Sequence, residues 1–180
     1  MEAKRAIRRC IREKRAALSA DLDSSSIVSL LSSLPEWESA STVLLYHPLP
    51  GEVDLRNLMA VSPSTKRIVL PLVVGDDLVL KEYVPGTLVK GFAGILEPSA
   101  SAPEVNSSEI DLAVVPGVAF DSSCHRLGRG RGFYDRLLPT LDCPLVGVAF
   151  DWQMVPEVPT DPWDFPLDAI ITDSGIFRKQ

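Results

Sequence analysis

Arginine and glycine alternate in one short stretch of this chain. Residues 126–136 read Arg-Leu-Gly-Arg-Gly-Arg-Gly-Phe-Tyr-Asp-Arg, so Arg126, Arg129, Arg131 and Arg136 crowd around Gly128, Gly130 and Gly132. Glycine lets backbone amides come close to an anion, and guanidinium groups present paired donors that match phosphate oxygens. The β-rich run before this loop and the helical pattern that begins at Phe133 complete a phosphate-binding recipe, with the helix N-terminus adding partial positive charge. The competing reading is a glycine-rich surface turn kept soluble by arginine. With GxGxG spacing, no Lys-Ser/Thr pair following and no clear Rossmann opening unit before it, the loop is neither a Walker A loop nor a dinucleotide fingerprint.

The charge distribution singles out the same loop and one other place. The 180 residues carry a net charge of −6. Residues 1–18 hold seven basic and two acidic side chains, for +5, and the remainder is at −11. Two basic foci on an acidic body suit a small anionic ligand and disfavour broad binding to nucleic-acid phosphates. Three cysteines, Cys10, Cys124 and Cys143, are odd in number and lack CxxC spacing, which points to a reducing compartment and away from zinc. Two histidines make a histidine-based metal site improbable, and no Ser-His-Asp or Cys-His arrangement stands out. The longest apolar run, residues 68–74, falls far short of the roughly 20 residues a membrane span needs, and the N-terminus lacks a signal peptide's apolar stretch. These features predict a cytoplasmic protein without membrane or nucleic-acid partners.

The elements that must position these residues follow from periodicity. Ile7, Ile11 and Leu18 predict a helix over residues 4–18, ended by Ser19 and Asp21, with Lys4, Arg8, Arg12 and Arg15 on neighbouring faces. Ile27, Leu30, Leu31 and Leu34 predict a second helix, capped by Asp23 or Ser24 and closed by Pro35. β-rich runs at 42–47, 67–72, 78–83, 110–115, 145–150 and 168–172 follow, with helical stretches at 55–61 and 133–138 and a hairpin turn at Asp76-Asp77. Most of these runs read as buried strands, so the expected fold is α/β, an open mainly parallel sheet flanked by helices. Residues 97–109, rich in Pro, Ser and Ala, read as an exposed connector inside a single 1–180 domain.

Residues 111–136 resemble the signature of the 5-formyltetrahydrofolate cyclo-ligase (methenyltetrahydrofolate synthetase) family. In that signature an Asp-Leu-…-Pro-Gly-…-Phe-Asp run leads to Arg-Leu-Gly-x-Gly-x-Gly-Tyr-Tyr-Asp. The resemblance continues through Lys4-Arg5-Ala6-Ile7-Arg8, residues 47–54, and Ala149-Phe150-Asp151-Trp152-Gln153 to Asp168, in the family's order. It implies closure of 5-formyltetrahydrofolate to 5,10-methenyltetrahydrofolate, driven by magnesium-ATP through a phosphorylated formyl intermediate. It also implies the open sheet shared with phosphosugar isomerase-like and coenzyme A transferase-like proteins, and a monomer is expected.

By that resemblance Lys4, Arg5 and Arg8 reach ATP phosphates, and Arg126, Leu127, Gly128, Arg129, Gly130, Arg131, Gly132, Phe133 and Tyr134 wrap the nucleotide. For Lys4 and Arg8 the other readings are a solvated helix face or a mitochondrial presequence, and for Arg5 the solvated face is the stronger reading. Arg129, Arg131 and Tyr134 would act at the transferring phosphoryl group. Asp135 and Asp164 align with the magnesium carboxylates, with Asp161 a rival for the second role. His47 and Glu52 would bind folate together with Arg129, Gly130, Arg131, Gly132 and Phe133, Glu52 pairing with the pterin edge. Asp54, the rival carboxylate, suits an N-cap for residues 55–61. Gln153 either serves the site or braces backbone.

Two positions depart from the family pattern. Phe133 stands where the first of two tyrosines is usual, keeping the ring and losing a hydroxyl. Cys124 stands where glycine is usual, which strains the loop if that residue needs positive φ. These departures motivate the alternative, a non-catalytic folate- or nucleotide-binding protein.

Overall fold

The computed structural model describes residues 2–18, 22–91 and 94–179. Among the described residues the α-helices are α1 (Glu2–Ala16), α2 (Ser25–Ser32), α3 (Pro35–Ser39), α4 (Arg56–Val61) and α5 (Phe133–Leu137). The strands are β1 (Thr42–Leu44), β2 (Arg67–Val74), β3 (Asp77–Glu82), β4 (Val89–Lys90), β5 (Leu96–Glu97), β6 (Leu112–Val115), β7 (Ala119–Phe120), β8 (Arg126–Leu127), β9 (Leu145–Val148), β10 (Ala169–Thr172) and β11 (Gly175–Arg178).

Seven of them form one sheet in the order β11-β10-β9-β6-β1-β2-β3. The five inner strands run parallel, and β3 and β11 close the two edges antiparallel. The alternation of side chains along each strand fills two layers. Val43, Leu112, Val114, Val146 and Val148 face α2, α3 and α4 through Ile27, Leu31, Trp37, Leu58 and Met59. Leu44, Ala113, Val115, Leu145 and Ile170 face Leu137, Leu138 and Leu141. Each fully buried Leu or Ile here contributes about 1.5–3 kcal/mol.

Several expectations are corrected at their edges. Pro35 occupies the first turn of α3, where its missing N–H costs nothing, so it opens a helix beyond the end of α2. Asp23, through Oδ1, accepts the Ser25 N–H over 2.9 Å, while the Ser24 hydroxyl accepts from Asp54 N instead. The β2–β3 turn is Gly75-Asp76, Gly75 taking φ +62°, and Asp77 already belongs to β3. Residues 97–109 are not uniformly exposed: Glu97 and Val105 are buried, Glu82 N donates to Pro103 O, and Val105 N donates to Leu80 O. The segment thereby satisfies part of β3's open edge. Ser19 and Asp21, expected to end the first helix, lie outside the described residues. No described helix is long and apolar enough to cross a membrane.

Candidate active site

The chain leaves β1 toward β2 on one side of the sheet and later returns to place β6 on the other. That reversal is a topological switch point, where the loops after two neighbouring strands diverge and open a crevice. The loop after β1 supplies Tyr46, His47, Leu49 and Glu52, and the loop after β6 supplies Pro116 and Gly117. The remaining wall is Leu70, Pro71, Val73 and Leu78 from β2 and β3, residues 95–97, and Arg126, Gly128, Arg129, Arg131, Gly132, Phe133, Tyr134 and Asp135. The cavity encloses about 970 Å³, its open mouth included, with an apolar floor and charged rim.

Local bonding holds these residues in place. Tyr46 donates its hydroxyl to Val53 O, and Glu52 Oε2 accepts from Leu49 N over 2.9 Å, which locks the loop after β1. Ahead of the arginine loop, buried Asp121 accepts from Ser123 N and His125 N through Oδ1 and from Val158 N through Oδ2. Arg126 then runs beneath the cavity with its side chain buried. It donates to Asp135 Oδ1 over 2.6 Å and lies 5.4 Å from the Tyr134 ring centroid. Arg126 Nε has no hydrogen-bond partner among the described residues. Gln153 accepts from Phe150 N and donates to Gly117 O and Val118 O, so it braces the loop after β6.

Helix α1 packs on this frame through Ile7 and Ile11 against Ala119, Leu127 and Val158. That anchoring turns Arg8 inward, where Nε donates to Gly128 O over 2.8 Å. A second cavity, lined by Arg8, Arg12 and Arg15 with Pro50, Gly51, Trp152 and Gln153, shares Glu52, Gly117 and Arg129 with the first.

A comparison with known families bears directly on this arrangement. Residues 1–173 match the profile of the 5-formyltetrahydrofolate cyclo-ligase family. The chain belongs to that family. It is 32% identical to the 5-formyltetrahydrofolate cyclo-ligase of Escherichia coli K12, over 93% of this chain and 99% of the relative. It is 33% identical to that of Haemophilus influenzae, over 91% and 92%. The solved structure of Aquifex aeolicus 5,10-methenyltetrahydrofolate synthetase superposes with a TM-score of 0.88 at 38% identity, covering 97% of this chain and 92% of that one. The Mycoplasma pneumoniae synthetase gives 0.76 at 28%, covering 94% and 98%.

Within this cyclo-ligase fold the residues singled out from sequence separate into three groups. His47, Glu52, Arg126, Gly128, Arg129, Arg131, Gly132, Phe133, Tyr134 and Asp135 line the main cavity, and Arg8 lines the adjoining one. Leu127 is buried against α1, and Gly130, at φ +100°, shapes the loop without lining either cavity. Arg5 is exposed on α1 and lines neither cavity. Lys4 and Asp164 also lie off both cavities: Lys4 Nζ binds Asp161 over 2.7 Å and Asp164 closely, tying α1 to the turn at residues 161–164. Burial alone would lower the Lys4 pKa, but the bonds and charges of the two aspartates outweigh it and hold it above the usual lysine value.

Helix α5 spans five residues, too few for a substantial macrodipole, so positive charge at the loop comes from the arginines. The Phe133 ring lies 5.6 Å from the Arg131 guanidinium and 5.7 Å from that of Arg136. Cys124 adopts φ +65°, the one non-glycine residue with positive φ among the described residues, so the strain expected of cysteine there is present.

Burial pushes the Tyr134 hydroxyl well above its ordinary pKa, the Glu52 charge adds to the rise, and Arg126 offsets part of it. Tyr134 is therefore a neutral hydrogen-bonding group. Burial and the Arg56 charge lower the His47 pKa, outweighing Asp54, which accepts from Arg56 N at the start of α4. Among the described residues no cluster of three or more His, Cys, Asp or Glu could hold a metal by itself. The apolar floor, Leu70, Pro71, Val73 and Leu78, carries no sequence motif; its one signal was a continuous apolar strand beside the β1 loop.

Proposed function

We propose that this chain catalyses ATP-dependent closure of 5-formyltetrahydrofolate to 5,10-methenyltetrahydrofolate, releasing ADP and phosphate. The observation that carries the reading is the cavity at the switch point. Glu52, a carboxylate suited to an aminopyrimidine edge, stands over an apolar floor beside an arginine-rich loop suited to phosphate and pairs with Arg129 of that loop. In this reading the folate lies between the loop after β1 and residues 126–134. ATP lies against that loop and Arg8, with Arg129 and Arg131 at the transferring phosphoryl group.

The formyl oxygen attacks the γ-phosphorus, an O–P bond forms, and the bond to the β-phosphate oxygen breaks, releasing ADP. The N10 lone pair then attacks the activated formyl carbon, the C–O bond to phosphate breaks, N10 loses its proton, and phosphate leaves. The protein's share is positioning and charge neutralisation. Tyr134 stays protonated and donates a hydrogen bond, with Arg126 supporting its ring.

Magnesium fits this site through Asp135. Asp135 Oδ1 is held by Arg126, Oδ2 accepts no hydrogen bond from the described residues, and a hard cation that keeps several waters needs one or two carboxylates plus phosphate oxygens. Bound there, it would neutralise phosphate charge. Asp164, tied to Lys4 outside the cavity, is the weaker candidate. The reading extends to a single-domain monomer acting in the cytoplasm, the last part supported by three unpaired cysteines, which suit a reducing compartment.

Oxygen-18 in the formyl group tests the chemistry. The label should appear in the released phosphate; methenyl product with unlabelled phosphate would overturn the proposed attack.

A further inference from the structure

The Glu52–Arg129 ion pair stands in the wall common to both cavities. Arg129 donates through Nη2 to Glu52 Oε1 over 2.8 Å, while Oε2 accepts from Leu49 N over 2.9 Å. Both oxygens of the carboxylate assigned above to the pterin are thus engaged within the protein. Two parallel bonds from an aminopyrimidine edge need both oxygens. A guanidinium on Oε1 occupies one of them and neutralises the charge that makes the acceptor strong.

The two partners differ in freedom. The Glu52 side chain is 9% exposed and held by its own loop, whereas Arg129 is 58% exposed and flanked by Gly128 and Gly130. Arg129 is the group that can leave. It also belongs to the loop whose chemistry suits phosphate, and a polyphosphate offers a guanidinium more negative charge than one carboxylate does.

We propose that Arg129 exchanges between Glu52 and the phosphates of the nucleotide, so that nucleotide binding uncovers Glu52 and tightens folate binding. The inference rests on the pterin assignment of Glu52. Linkage requires the converse with equal strength, folate tightening nucleotide binding by the same factor. A partly exposed ion pair sets that factor at about fivefold.

Calorimetric titration of 5-formyltetrahydrofolate tests this, with and without a saturating magnesium complex of a non-hydrolysable β,γ-imido ATP analogue. In the wild-type protein the analogue should lower the folate Kd about fivefold, and folate should lower the analogue's Kd equally. In Arg129→Ala, folate should bind the nucleotide-free protein nearly as tightly as it binds the wild-type analogue complex, with the factor collapsing toward one. Arg129→Lys should restore part of the factor. A wild-type folate Kd indifferent to the analogue, or a factor undiminished in Arg129→Ala, would overturn the exchange. Folate binding unaffected by Glu52→Gln would overturn the pterin assignment and the exchange with it, whereas sensitivity to Glu52→Gln without coupling would overturn the exchange alone.

Discussion

Arg126 and Asp135 meet beneath the cavity, Nη2 to Oδ1 at 2.6 Å, and the same guanidinium underlies the Tyr134 ring. One buried cation therefore fixes both the carboxylate proposed for magnesium and the aromatic group beside it. Asp135→Asn keeps an acceptor for Arg126 and removes the negative charge. Stability should fall by about 1–3 kcal/mol, because a buried cation loses its counter-charge. Turnover at limiting magnesium should fall at least about tenfold, while folate binding without nucleotide changes little. Steady-state rates across a magnesium series check this, and undiminished turnover at limiting magnesium would remove Asp135 from the metal's environment.

Glu52→Gln converts a charged acceptor into a neutral amide. Loss of charge-assisted bonds of about 1.5–3 kcal/mol predicts a folate Kd weakened roughly ten- to a hundredfold. Nucleotide affinity should be no weaker than in the wild type, since Arg129 loses a competitor. Separate calorimetric titrations with folate and nucleotide measure the two effects.

At Cys124 the usual gap between alanine and glycine should narrow. Its φ of +65° costs about 1–2 kcal/mol for any side chain, yet its thiol is fully buried in the layer with Phe120 and Leu138. Cys124→Ala loses buried surface and keeps the strain. Cys124→Gly relieves the strain, loses the Cβ as well at about 0.8 kcal/mol, and adds about 0.5–1 kcal/mol of unfolded-state entropy. Glycine should therefore match alanine to within about 1 kcal/mol here, where at an ordinary buried position it would fall clearly below, and urea midpoints of the two variants measure the gap.

His47 supplies a pH dependence of known sign. Its folded pKa lies below the ordinary histidine value, so the unfolded chain binds a proton that the folded chain resists. Its contribution to stability is whole above about pH 6.5 and is lost as pH falls from there through the lowered folded value. Melting temperatures between pH 7.5 and 5.5 should decline more steeply for the wild type than for His47→Asn.

The arginine–glycine loop and the parallel sheet were legible in sequence because each depends on local chemistry or short periodicity, whereas Glu52 was reached only through the family resemblance. What sequence could not show depends on distant partners. Lys4 and Asp161 are 157 residues apart, and their contact ties the residue expected at phosphate to the turn at residues 161–164. Residues 103–105 look like an apolar-poor connector until the open edge of β3 is there to receive them. Short β7 and β8 carry too little pattern to be seen, though they set the register of Arg126. Cys124 is the opposite case: one family departure implied a backbone angle, and the structure has it.

Whether the chain turns over is decided by following methenyl-folate absorbance with purified protein, 5-formyltetrahydrofolate and magnesium-ATP, omitting each component in turn and measuring ADP. Product should form only when all are present, with one ADP per methenyl group formed. Folded protein that binds folate saturably yet yields neither product nor folate-dependent ADP would contradict the proposed ring closure, and would favour the non-catalytic binding protein.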